Sequence, residues 1–195
     1  MKNTRGFTLI EVMIVLALVA ALVAFGVPRL FKKDNNIRKV ARQFIAMSRE
    51  IRNQARLSNS TFRIVIVLDD KGDTYWVERA NGLQPIDPDA AEKEKEKEED
   101  KENAPPPLFK KDNFLFKKDK VLPEGLRFSS IETMNMKAPQ TTGTAYIYFF
   151  PEGFVEAAAV QIAGPNNVTW TLVFNPLTGQ ADIIEKAQAL KDIQR

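Results

Sequence analysis

The hydrophobic pattern changes character twice along the chain. Phe7 to Val27 is apolar on every side apart from Thr8, Glu11 and Gly26. A helix of that length spans roughly 30 Å, about the hydrocarbon thickness of a bilayer. From Ile37 to Ala55 the apolar residues recur at helical spacing instead: Ile37, Val40, Ala41, Phe44, Ile51 and Ala55, with Ser48 as a polar interruption. That period predicts an amphipathic helix with one face on a core. Beyond residue 60 the pattern becomes β-like. Thr61–Leu68 and Thr74–Arg79 are β-branched and aromatic runs separated by Asp69-Asp70-Lys71-Gly72-Asp73, a hairpin signal. Further strands are expected at 126–131, 145–150, 154–163, 168–174 and 181–184. The turns Pro151-Glu152-Gly153, Gly164-Pro165-Asn166-Asn167 and Asn175-Pro176-Leu177-Thr178-Gly179 separate the later ones. In the run 168–174, alternation predicts Val168, Trp170, Leu172 and Phe174 inside and Thr169, Thr171 and Val173 on a wetter face. The predicted fold is α+β: a long N-terminal spine helix packed on an antiparallel β domain of up to two sheets.

One segment fits neither period. Ala90–Lys101 (AAEKEKEKEEDK) is almost free of apolar residues, and Pro105-Pro106-Pro107 follows it. Such a composition cannot build a core, so a solvated excursion over about 86–107 is expected. Leu108-Phe109-Lys110-Lys111-Asp112 is repeated seven residues later as Leu115–Asp119 and echoes Leu30–Asp34. These copies read either as coincidence or as a Phe/Lys edge that grips a partner.

Composition narrows the chemistry. The 195 residues contain no Cys and no His. Disulfides, thiol nucleophiles, the commonest general base and the commonest transition-metal ligand are therefore all missing. No enzymatic activity, cofactor or metal is expected. The three Asp of the first hairpin lack calcium-loop spacing and read as a polar turn. The net charge of +3 conceals patterning: residues 87–102 hold nine acidic and four basic side chains, so the remainder stands at +8. Nine basic and two acidic residues lie between Arg29 and Arg56. Arg38, Lys39, Arg42, Arg49, Arg52 and Arg56 fall on the face opposite the apolar stripe. A solvated face, contact with acidic subunits or lipid headgroups, and nucleic acid are the three readings, in that order.

Glu11 is the anomaly. A carboxylate in a membrane segment costs about 3 kcal/mol on insertion scales and marks function. Lys2 and Arg5 precede the run, but it is too long for a secretory signal, and Pro28-Arg29-Leu30-Phe31-Lys32-Lys33 offers no small-residue cleavage site. The stretch Gly6-Phe7-Thr8-Leu9-Ile10-Glu11 resembles the prepilin cleavage motif of the type IV pilin and type II secretion pseudopilin superfamily. The resemblance implies a leader at 1–6, cleavage between Gly6 and Phe7 by a prepilin peptidase, and N-methylation of Phe7. It further implies a transmembrane and filament-core helix at 7–27, an amphipathic continuation at 28–59, a β domain at 60–184 and a tail at 185–195. Glu11 would fix assembly register by pairing with a neighbour's terminal amine, and Pro28 would kink the helix. With the spine helix and early hairpin, Leu122-Pro123-Glu124-Gly125, Phe150-Pro151-Glu152-Gly153 and Leu172…Gly179 are similar to minor pseudopilin H of type II secretion and its minor-pilin cousins. The implied partners are other pseudopilins, the peptidase, the inner-membrane assembly platform and the membrane, with nucleic acid not expected. The implied location is the inner membrane, single-pass, with the β domain in the periplasm. The competing expectation is a minor pilin of a surface type IV pilus, used in DNA uptake or adhesion.

Overall fold

The computed structural model describes residues 9–70, 72–91, 93–94, 106–116 and 118–193, and within the first helix the side chains of 24–35 are outside the description. Helix α1 (Leu9–Leu57) is followed by β1 (Ser60–Leu68), β2 (Thr74–Asn81), β3 (Lys110–Lys111), β4 (Lys120–Val121), β5 (Arg127–Thr133) and β6 (Gly143–Phe149). Then come β7 (Ala158–Ala163), a 3₁₀ turn at Pro165–Asn167, β8 (Thr169–Phe174), β9 (Ala181–Ile184) and a four-residue helix α2 (Leu190–Ile193). The strands form two antiparallel sheets. One has the order β3-β2-β1-β6, with β4 also pairing with β2; the other is β5-β7-β8-β9. The expected α+β architecture, a helix packed on antiparallel sheets, is what forms.

The C-terminal half of α1 lies across both sheets, touching β1, β6, β8 and β9. The predicted stripe is the buried one: Ile37, Val40, Ala41, Phe44, Ile51 and Ala55 are all in the core, joined by Met47. Ser48 is buried too, and its hydroxyl donates to the Ile45 carbonyl at 3.0 Å, so the helix satisfies its own polar interruption. Phe44 stands at the centre, with its ring 4.8 Å from Tyr75 and 5.9 Å from Phe128. Burial pushes the Tyr75 hydroxyl up to about 12.

Strand β1 is buried on both faces, which is why Ile64–Leu68 reads as a continuous apolar run. Its inner face carries Phe62, Ile64, Ile66 and Leu68 into the main core. Its outer face, with Val65, lies under a smaller cluster that includes Ala90, Phe109, Tyr146 and Tyr148. Two expectations are corrected here. The segment from Ala90 is not wholly solvated, because Ala90 is buried in that outer cluster. Thr171 is not on a wet face: it is fully buried, its hydroxyl donating to Lys186 O at 2.7 Å and accepting from Gln188 N at 3.1 Å. The chain after β9 returns over that face and dries it.

The predicted hairpin forms between β1 and β2. Asp73 is its buried anchor. One carboxylate oxygen accepts the Asp69 amide at 3.1 Å and the other accepts the Phe128 amide, tying the hairpin loop to β5. That structural duty accounts for one of the three Asp. The phenylalanines of the two Leu-Phe-Lys-Lys-Asp copies pack on opposite faces of the first sheet. Phe109 packs in the outer cluster, its ring 5.9 Å from Tyr148, and Phe116 reaches the inner core, 6.0 Å from Tyr75. Between them, Lys111 bridges to Asp119 at 2.7 Å and its ammonium lies 4.4 Å from the Trp76 ring.

Candidate assembly surface

Two surfaces of α1 hold those described residues that the sequence singled out, and a buried charge cluster lies on β1. Along the N-terminal half, Leu9, Ile10, Met13, Leu16 and Leu22 are all exposed, because the β domain lies wholly against the other half. An apolar surface of this extent on one helix marks a contact with lipid or another chain. Glu11 is exposed in its first turn. Among the described residues, no helix is long and apolar enough to cross a membrane. The apolar side chains described there run only from Leu9 to Val23, about 22 Å of helix. Gly6 and Phe7 lie outside the described residues. Pro28 lies within α1, which is helical on both sides of it, and its side chain is outside the description.

The basic face of the C-terminal half is divided in its duties. Arg52 donates from Nε to the Gly153 carbonyl at 2.7 Å. Arg38 lies 5.6 Å from the Trp170 ring and 3.9 Å from Glu185. These two arginines therefore turn back onto the β domain. Lys39, Arg42, Arg49 and Arg56 remain exposed, and among the described residues none has an ion pair within the chain.

The turns beneath the helix explain two of the motif glycines. Gly153 has φ +91, and a methyl group there would lie 2.9 Å from Arg56 Cδ. Gly179 has φ +64, and a methyl there would overlap Arg52 Cδ and Nε. Both turns need left-handed backbone and both pass directly under an α1 arginine stem.

Sequence reasoning missed the charge cluster on the outer face of β1. Arg63 is 2% exposed, donates from Nε and Nη2 to Glu78 Oε2 at 2.8 and 2.6 Å, and from Nη2 to Glu94 Oε1 at 2.6 Å. Its guanidinium lies 4.1 Å from the Phe109 ring centre and 4.0 Å from that of Tyr146. The Tyr146 hydroxyl completes the cluster by donating to Glu94 Oε2 at 2.7 Å. Burial alone would pull Arg63 down, but the two carboxylates outweigh it and hold the group above its ordinary value. Burial pushes the Tyr146 hydroxyl up, with Glu94 adding to the shift. Alternation along β1 puts Arg63 on one face with Val65 and Val67, which is the signal in the sequence that could have shown this arginine to be covered. Nearby, Glu156 is also buried, accepting from Asn135 Nδ2 at 2.9 Å and the Tyr148 amide at 3.3 Å. None of these groups forms a metal-ligand cluster among the described residues. The arrangement clamps the 86–94 arm to the sheet.

Residues 1–27 match the family description "Prokaryotic N-terminal methylation motif". The chain carries an N-terminal methylation motif. No curated protein matches it in sequence. Two solved structures of the minor pseudopilin EpsH from the type II secretion system of Vibrio cholerae are similar in fold. One is 14% identical, with a TM-score of 0.46, over 80% of this chain and 98% of that one. The other is 13% identical, with a TM-score of 0.42, over 77% of this chain and 97% of that one.

Proposed function

We propose that this chain is a minor pseudopilin, a structural subunit at or near the tip of a type II secretion pseudopilus. It would assist pseudopilus initiation and protein export across the outer membrane. The observation that carries the reading is the methylation motif at 1–27 running directly into a single helix, α1. Half of that helix offers bare apolar side chains and half is built into an α+β domain. Such a helix can exchange lipid contact for contact with neighbouring helices while its domain stays folded. Work would be done by assembly, without catalysis. Phe7–Val27 would anchor the chain in the inner membrane with the domain in the periplasm, other pseudopilins would supply the filament contacts, and the assembly platform would extract the anchor. Within the pilin-like class, the pseudopilin assignment is supported by the Pro-Glu-Gly turns and by the turn ending at Gly179.

The deciding measurement is intact-mass analysis of protein from native envelopes. The expected species begins at methylated Phe7. A chain that retains Met1, or is cut downstream of Val27, overturns the reading. Loss of substrate export on deletion, with surface piliation unchanged, separates the secretion subunit from a surface pilin.

A further inference from the structure

The exposed side of α1 carries an ordered pattern of which its own fold uses only the Arg56 stem, laid over the Gly153 turn. Lys39, Arg42, Ala46, Arg49, Asn53 and Arg56 follow one another at steps of three, four, three, four and three residues, and all six are exposed. Alternating steps of three and four form a nearly straight seam along a helix, the spacing by which two helices pack side by side. The opposite side of the same turns is fixed in the core by Phe44, Ile51 and Ala55, so the seam is presented rigidly. Arg42, Arg49 and Arg56 repeat every seven residues, about 10.5 Å apart along the axis. Ala46 and Asn53 between them are small enough to let another backbone come close. Ala46 also borders a cavity of about 380 Å³ with Leu115 and Phe116 on one wall and Gln43, Glu50 and Lys120 at its rim, room for a side chain from outside.

We infer that this seam docks a partner helix carrying carboxylates at the same seven-residue spacing. Four cations against one carboxylate, Glu50, line this face, none of the four with an ion pair among the described residues, so an acidic helix is the charge complement it offers. The inference rests on the assembly reading for why a helix should approach. Lipid headgroups fit the seam poorly. Arg49 stands 22 residues past Val27, about 33 Å of helix, and so beyond the reach of a headgroup layer. Duplex DNA presents phosphates along two curving strands, whereas this seam is straight and interrupted by Ala46 at its centre.

The test uses the full chain in detergent micelles with four probes. They are a helical peptide with glutamates on the three-four pattern, its isomer with the glutamates dispersed round the helix, a short duplex DNA, and phosphatidylglycerol vesicles. The matched peptide should bind at least ~10-fold more tightly than the isomer, with affinity falling as salt rises. R42E/R49E should weaken it by at least ~10-fold, and a peptide with lysines replacing the glutamates should bind that variant instead. K137E, an exposed change off α1, should alter nothing. Equal binding of the two peptides, binding of neither, no rescue by the lysine peptide, or binding of duplex or vesicles alone overturns the inference. Any of these results alongside a processed, methylated Phe7 removes the acidic helix and leaves the assembly reading intact.

Discussion

Arg63 shows how a buried charge is made tolerable. It has two carboxylates and two aromatic faces around it, and Glu78 alone engages both Nε and Nη2. Removing Arg63 would strand Glu78 and Glu94 against the sheet, a change that costs about 3–5 kcal/mol when a buried pair is broken. Glu94 is 39% exposed, so its share is screened. Glu94→Gln is expected to lower stability by no more than ~1 kcal/mol while speeding hydrogen exchange selectively across 86–94. Unchanged exchange there would mean that the arm is held by Ala90 and its neighbours alone. Glu156 gives a pH dependence. Burial raises its carboxyl above the ordinary value of 4.5, against the opposing hydrogen bonds from Asn135, Thr133 and the Tyr148 amide. A raised folded value means that its contribution is complete at acid pH below 4.5 and is lost as pH climbs through the folded value. The stability of Glu156→Gln relative to the parent should therefore improve from pH 4 towards pH 7, read by urea unfolding at each pH. A constant difference would show that Glu156 does not titrate in that window. Glu11 belongs to the proposed assembly. Glu11→Ala should leave processing at Gly6 intact yet abolish crosslinks to filament neighbours and export of a secreted substrate. Normal crosslinking and export would remove its role as a register pin.

At the scale of elements, α1 governs what else is possible. Its stripe was legible because Ile37 to Ala55 keeps a period of 3.6, and burial follows that period without exception. The longer strands were legible for a similar reason, each being long enough for β-branched composition to show. Strands β3 and β4 were not. Two residues carry no period, and each exists only through its pairing with β2. Arg63 escaped notice because its cover arrives from residues 94, 109 and 146, which local pattern cannot reach. The glycine turns were visible as turns, but their reason was hidden until α1 was seen lying on them. Gly179→Ala combines left-handed backbone with overlap onto the Arg52 stem. A loss of about 1–3 kcal/mol is expected, measured by thermal unfolding. The double change with Arg52→Ala should recover part of it by freeing the space. A silent Gly179→Ala would show that the helix and this turn are not in firm contact.

At the scale of the whole molecule, the two sheets and α1 form a body with unequal borders. The margin of the first sheet at β2 is closed by β3 and β4, each only two residues long and together carrying Lys110, Lys111 and Lys120. Short, lysine-bearing margins are poor templates for a further strand. Copies of this chain cannot readily be stitched into a continuous ribbon through that side by backbone pairing. Under the proposed assembly, copies would join through other surfaces, the exposed apolar half of α1 among them.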